Sequence, residues 1–150
     1  MSMKISIGSD HHGVSLRNAL ARHLREEGNE VTEFGPDKSG AEPVDYPDVA
    51  GPVARRVSRG DSDRGILICA TGIGMSIAAN KYVGVRAAVI HNERTAELSR
   101  RHNDLNVLCL PGELIDEATI RRIVNLWMKT PFDGGRHECR VKKIETIVTM

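Results

Sequence analysis

Gly65-Ile66-Leu67-Ile68-Cys69-Ala70-Thr71-Gly72-Ile73-Gly74-Met75-Ser76 is an apolar run that delivers a cysteine to a glycine turn. A helix, Ser76-Ile77-Ala78-Ala79-Asn80-Lys81, is expected straight after it. A continuous Ile/Leu run of this length fits a strand buried on both faces, as in a parallel sheet. A helix start offers unpaired backbone N–H groups and a partial positive charge. Such a place favours an anion, whether a thiolate, an enolate oxygen or a phosphate. The segment admits two readings: a base or nucleophile beside an anion hole, or a buried structural cysteine beside a tight α/β turn.

The same logic extends in both directions. Strands are expected at residues 4–8, 30–34, 65–70, 85–90 and 106–110, several of them unbroken Ile/Leu/Val runs. A first helix carries Leu16, Ala19, Leu20, His23 and Leu24 on one face and is stopped by Gly28. Val53, Ala54 and Val57 mark another after Pro52, which suits a first-turn position. A third begins near Asp116 and buries Ile120, Ile123, Val124, Trp127 and Met128, and a last one carries Val141, Ile144 and Val148. Strand–helix alternation implies right-handed crossovers, hence an α/β fold with a parallel sheet and helices on both faces. The loop at 35–47 is polar and rich in Gly and Pro, the best candidate for a substrate-facing loop.

Composition narrows the function. At 150 residues, one domain spanning 1–150 is expected. A net charge of +1 with both signs interspersed gives no field for nucleic acid, and 3% aromatics give no stacking platform. The apolar runs are too short to span a bilayer and no signal-peptide core opens the chain. Three cysteines (Cys69, Cys109, Cys139) without zinc-type spacing suit reduced thiols in a cytoplasmic protein.

In parallel sheets, ligands bind outside the carboxyl ends of the strands. Ser9-Asp10-His11-His12-Gly13, residues 69–76 and His91-Asn92 all fall at that edge. Asp-His-His after a strand suggests a metal phosphoesterase, but no companion Asp-rich motif is visible; an Asx-type cap for the helix at Val14 is the structural alternative, and Asp10 and His11 as polar contacts to a substrate the favoured reading. A cysteine phosphatase needs an arginine shortly after the cysteine, and residues 70–79 contain none. Gly72-x-Gly74 is a fragment of a dinucleotide fingerprint, with Ile77 where the third glycine belongs. Arg100-Arg101-His102-Asn103-Asp104 closes a helix, with Asn as a suitable C-cap and His102 a natural proton carrier. Arg136 and Arg140, four apart after Gly134-Gly135, form a fork for phosphate or carboxylate or a solvated helix face.

Six segments in order resemble the ribose-5-phosphate isomerase B family, which also includes galactose-6-phosphate and allose-6-phosphate isomerases. They are Gly8-Ser9-Asp10-His11, Asp45-Tyr46-Pro47, the run from Gly65 to Gly74, Ala78-Ala79-Asn80-Lys81, Arg101-His102-Asn103-Asp104 and Gly134-Gly135-Arg136-His137. The resemblance implies a three-layer α/β/α Rossmann-like sandwich with a five-stranded parallel sheet. It implies a cofactor-free, metal-free aldose–ketose isomerase of the pentose phosphate pathway that interconverts D-ribose 5-phosphate and D-ribulose 5-phosphate through a cis-enediolate. A homodimer or dimer of dimers with shared active sites is implied, the C-terminal helix lying in the interface.

By the same resemblance Cys69 is the base, Thr71 the hydroxyl that assists it, and His102 the ring-opening acid/base, with Asp10 orienting the sugar. The backbone N–H groups of Gly72, Ile73, Gly74, Met75 and Ser76 would hold the enediolate. Asn103 and Tyr46 match substrate contacts, and His11, Arg136 and Arg140 the phosphate grip. Some members carry Glu at the position of Met75, which places this chain in a cysteine branch. Ala70 replaces a frequent glycine, which a negative φ would tolerate. Glu113 stands where many relatives have arginine, so another sugar terminus, such as allose 6-phosphate, galactose 6-phosphate or an unphosphorylated sugar, is the alternative substrate. A non-catalytic phosphosugar-binding domain is the alternative from another class.

Overall fold

The computed structural model describes residues 2–38 and 42–147. The elements run β1 (Lys4–Ser9), α1 (Val14–Glu26), β2 (Glu30–Phe34), α2 (Pro47–Arg59), β3 (Arg64–Cys69), α3 (Ile73–Ala79), β4 (Ala87–Val89), α4 (Glu93–Asn103), β5 (Val107–Pro111), α5 (Glu117–Lys129) and α6 (Arg136–Ile147). All strand pairs are parallel, in the order β2-β1-β3-β5-β4. The fold is the expected α/β/α sandwich on a five-stranded parallel sheet.

Alternation along the strands builds two cores. Ile66 and Ile68 of β3 pack with Leu20 and Leu24 of α1, Ala96 of α4, and Ile120, Ile123 and Trp127 of α5. Leu67 and Cys69 face the other way, onto Val49 and Val53 of α2 and Met75 and Ala79 of α3. Every residue of β3 is buried. Full burial of each such aliphatic chain contributes about 1.5–3 kcal/mol, which is why this run needs no polar face.

Gly28 ends α1 as expected: at φ +94° it donates to Arg25 O (2.9 Å) while Asn29 N–H reaches Leu24 O (3.1 Å). Three expectations are corrected. First, α2 begins at Pro47, not after Pro52, which lies inside the helix. Pro47 takes the first-turn position, and the buried stripe Val49, Ala50, Val53, Ala54, Val57 runs on both sides of Pro52. Second, β4 keeps only Ala87–Val89 of residues 85–90. The Asn106 side chain accepts from Arg86 N–H and donates to Gly84 O, replacing ladder bonds there. Third, α3 starts at Ile73, because Gly72 at φ +77° turns the chain directly into the helix. In α6 Val141 is buried but Ile144 is exposed, and Val148 lies outside the described residues.

Strand order places the site. From β1 the chain moves one way to β2, and β3 lies on the other side, so the loops after β1 and β3 diverge and leave a crevice at the carboxyl edge.

Candidate active site

Three strand ends meet at that crevice. Ser9 pairs with Ile68 and Cys69 with Pro111. The pairing continues past the strands through Asp10 N–H to Ile68 O (3.2 Å), Gly112 N–H to Cys69 O (2.9 Å) and Glu113 N–H to Ala70 O (3.2 Å). Asp10, Cys69 and Glu113 are therefore neighbours by backbone geometry.

Cys69 is 8% exposed, and its Sγ accepts a hydrogen bond from Gly72 N–H at 3.1 Å. An N–H donor on sulfur is worth most when the sulfur is negative. Thr71 Oγ1 accepts from Ile73 N–H (3.2 Å), and Ser76 N–H donates to Gly72 O (3.1 Å). Three of the five expected anion-hole amides are thus engaged, and among the described residues Gly74 and Met75 N–H have no acceptor. The Met75 side chain is itself core. Gly72 needs its left-handed φ, and a Cβ at Gly74 would stand 2.5 Å from the Tyr46 ring, so Tyr46 at the start of α2 packs closely on the first turn of α3. Ala70 avoids positive φ, which among non-glycine described residues only Asp104 adopts.

Asp10 is buried, and its Oδ1 accepts from His12 N–H (3.0 Å). This is an Asx turn rather than the helix cap, since Gly13 caps α1 without a side-chain bond. His11 Nδ1 accepts from Val44 N–H (3.1 Å), so the neutral ring carries its proton on Nε2 and presents a donor. His12 Nδ1 stands 3.1 Å from Glu113 Oε1, both half exposed. Asp10, His11 and His12 form one of two groups with metal-ligand potential among the described residues. Asp10 Oδ1 and the Nδ1 atoms of both rings are already engaged as described. His91 is exposed, and Asn92 caps α4 through Thr95 N–H (2.8 Å), which gives Asn92 a structural role.

The remaining expected residues lie at the opposite edge. With parallel strands, a crossover helix starts at the carboxyl edge and ends at the amino edge. His102 and Asn103 close α4 just before β5 begins, and Asp133 N–H bonds Arg101 O (3.0 Å), bringing the start of α6 beside them. His102 stacks on His137, ring centroids 4.3 Å apart. Arg136 and Arg140 are exposed beside this pair and make no ion pair among the described residues. Asp133 completes the second potential ligand group, but its carboxylate is held by Arg101 (3.2 Å). The chain thus gathers Cys69, Thr71, Asp10, His11 and Tyr46 at one edge and His102, Asn103, Arg136 and Arg140 at the other. A cavity of about 500 Å³ along β4 and α4 includes Asn103 but not Cys69.

Sequence reasoning missed three contributors. His137 has no role that its local sequence signals. Buried Arg17 donates to Ser9 Oγ (3.1 Å), Phe34 O (3.0 Å) and Pro36 O (2.5 Å), tying β1 to the loop after β2. Val44 acts only through its main chain. A basic residue on the apolar face of α1 was the one available signal.

A thiol, a carboxylate and two imidazoles at neighbouring strand ends are groups of the kind acid–base chemistry uses, and the molecule is of the class of α/β enzymes whose sites lie at strand ends. The family model for ribose/galactose isomerases matches residues 5–144. The chain belongs to that family and is an aldose–ketose isomerase of sugar phosphates. It is 44% identical over 144 residues to ribose-5-phosphate isomerase B of Escherichia coli (strain K12), covering 96% of this chain and 95% of that one. The structure of the Clostridium thermocellum ribose-5-phosphate isomerase B superposes with a TM-score of 0.94 at 48% identity, covering 98% of each chain. That of Mycoplasma genitalium ribose-5-phosphate isomerase B with bound ribulose-5-phosphate gives 0.92 at 41%, covering 97% and 96%. Among the described residues no helix is long and apolar enough to cross a membrane.

Proposed function

We propose that the chain interconverts D-ribose 5-phosphate and D-ribulose 5-phosphate through a cis-enediolate, with Cys69 as the base. The observation that carries this reading is the Cys69 sulfur bonded to Gly72 N–H at 3.1 Å beside the unengaged amides of Gly74 and Met75. Ribose-5-phosphate isomerases B among the relatives, one of them with bound ribulose-5-phosphate, support this choice of substrate.

His102 opens the sugar ring, and Asp10 orients the open chain. The Cys69 thiolate takes the proton from C2; that electron pair forms the C1=C2 bond and the carbonyl pair moves to O1. The free amides hold the resulting charge. The O2 proton passes to O1 with the help of Thr71, and the thiol returns its proton to C1, leaving a ketone at C2. Asn103 and Tyr46 contact the sugar, and His11, Arg136 and Arg140 grip the phosphate.

Because these groups lie at opposite edges of one chain, a second copy completes each site. Ile73 and Ile77, 56% and 61% exposed on α3 beside Cys69, and Ile144 on α6 supply apolar surface for it. Such an enzyme belongs to cytoplasmic pentose phosphate metabolism. Replacing Cys69 by Ala should lower turnover about a hundredfold or more with binding retained, and any deuterium that wild-type enzyme places at C1 of the ketose in D2O measures how often the thiol exchanges with solvent before returning its proton. Unchanged turnover overturns the reading.

The Glu113–His12 pair favours a second reading, an isomerase of another sugar or sugar phosphate. Rates on ribose 5-phosphate, allose 6-phosphate and unphosphorylated pentoses separate the two.

A further inference from the structure

On the edge opposite Cys69, a cavity of about 410 Å³ opens at the amino ends of the strands, walled by Asp63, Arg64, Arg86, Arg100, Asp104 and Asn106. Arg64 opens β3 and Arg100 lies in the last turn of α4; they are 8% and 5% exposed. Two guanidiniums this deeply buried demand compensation.

The compensation is incomplete. Arg64 Nη1 donates to the Trp127 and Met128 carbonyls (2.8 and 3.1 Å), closing the end of α5, and its guanidinium lies over the Trp127 ring at 5.1 Å. It makes no ion pair, and its Nε and Nη2 meet no acceptor among the described residues. Arg100 donates to Thr130 O (3.2 Å), Leu105 O (2.8 Å) and Asp104 Oδ1 (2.8 Å), leaving its Nη2 free. Asp104 is shared with Arg86, which also holds Glu145 (2.6 Å). Among the described residues, the side-chain nitrogens sealed in protein without a hydrogen-bond partner are Arg17 Nε, which faces Glu33 Oε1 at 3.4 Å, and Trp127 Nε1. The spare N–H groups of Arg64 and Arg100 are therefore not sealed; they are reached from the cavity they line.

We propose that this cavity is a binding site for a small tetrahedral oxyanion such as inorganic phosphate, held by the free N–H groups of Arg64 and Arg100. Planar guanidinium forks match phosphate oxygens in pairs, and burial makes such bonds strong. The charge balance agrees: Arg64 is lowered to about 10, first by burial and then by the like charge of Arg100, with Asp104 and Asp63 opposing. Arg100 is lowered first by burial as well, against Asp104. An anion here relieves both effects.

The test must separate this site from the phosphate grip assigned to catalysis. In the full chain carrying Arg136→Ala and Arg140→Ala, isothermal titration with inorganic phosphate should show one bound per chain. Adding Arg64→Met, which keeps an unbranched stem over Trp127, should weaken that binding about tenfold or more. No binding to the double variant, or binding indifferent to Arg64→Met, overturns the proposal. Should Arg64→Met fail to fold, Asp63→Asn decides. It keeps an oxygen for Lys4 N–H, now 2.8 Å from Asp63 Oδ2, while removing a negative wall charge. Phosphate should then bind about threefold tighter or more, and unchanged or weaker binding overturns the site.

Discussion

The imidazole rings of His102 and His137 lie face to face, their centroids 4.3 Å apart and their planes 9° from parallel. Two imidazolium charges repel in that arrangement. Burial first, then the charges of His102, Arg136 and Arg140, hold His137 below the ordinary histidine range, with Asp133 opposing. As pH falls through that range the unfolded chain binds a proton at this position before the folded one does. Stability therefore rises with pH across the window between the lowered value and the ordinary one, and is lost on acidification. His137→Asn cannot take the charge, so its Tm should fall less than the wild type's between about pH 7.5 and about pH 5.5. Circular dichroism melts at each pH give the comparison; parallel curves would remove His137 from the acid response.

The Gly74–Tyr46 contact makes a second prediction. Alanine is the better helix former by up to about 1 kcal/mol, yet its Cβ would stand 2.5 Å from the Tyr46 ring. Tyr46 is 43% exposed, so the ring can swing away at the loss of its packing. Gly74→Ala should destabilise the wild type by about 1 kcal/mol but be neutral or stabilising in a Tyr46→Ala background. Urea unfolding of the four proteins measures the coupling. A coupling near zero would mean that Tyr46 does not rest on α3.

What the sequence made legible, and what it hid, divides along physical lines. The β3 run is readable because a strand buried on both faces leaves an unbroken apolar string. The carboxyl-edge position of Asp10 and Cys69 follows from parallelism alone. The start of α2 was hidden by a second proline, although the stripe through Val49 and Ala50 was there to extend. The trimming of β4 depends on the side chain of Asn106, a residue from another strand's approach. Likewise the His102–His137 stack joins α4 to α6, and no local period encodes it. The separation of Cys69 from His102 was derivable, since a crossover helix between parallel strands must end at the far edge.

Thiol chemistry should rank the three cysteines by environment. Cys109 is wholly buried in β5, and burial, with Cys69 nearby, pushes its thiol far above the ordinary range. Cys139 is exposed on α6. Under native conditions iodoacetamide should modify Cys139 first, Cys69 more slowly and Cys109 not at all. Ribulose 5-phosphate should protect Cys69 alone. Peptide mapping by mass spectrometry reads each site; protection of Cys139 but not Cys69 would place the substrate elsewhere.

The division of the site between two edges makes the strongest demand. If one copy supplies Cys69 and another His102, two inactive variants should rescue each other. Cys69→Ala and His102→Asn chains, each about a hundredfold or more impaired alone, would be unfolded together and refolded as a mixture. In a random mixture of two-fold dimers, half the dimers are mixed, and each of these carries one intact site and one doubly defective site. Activity should return to about a quarter of the wild-type value. Refolding each variant separately and then combining them should give less, to the extent that subunits do not exchange. A mixture no more active than its components would mean that Cys69 and His102 serve the same chain's site, which the parallel crossover of α4 does not allow without refolding of that helix, or that they do not serve one reaction at all.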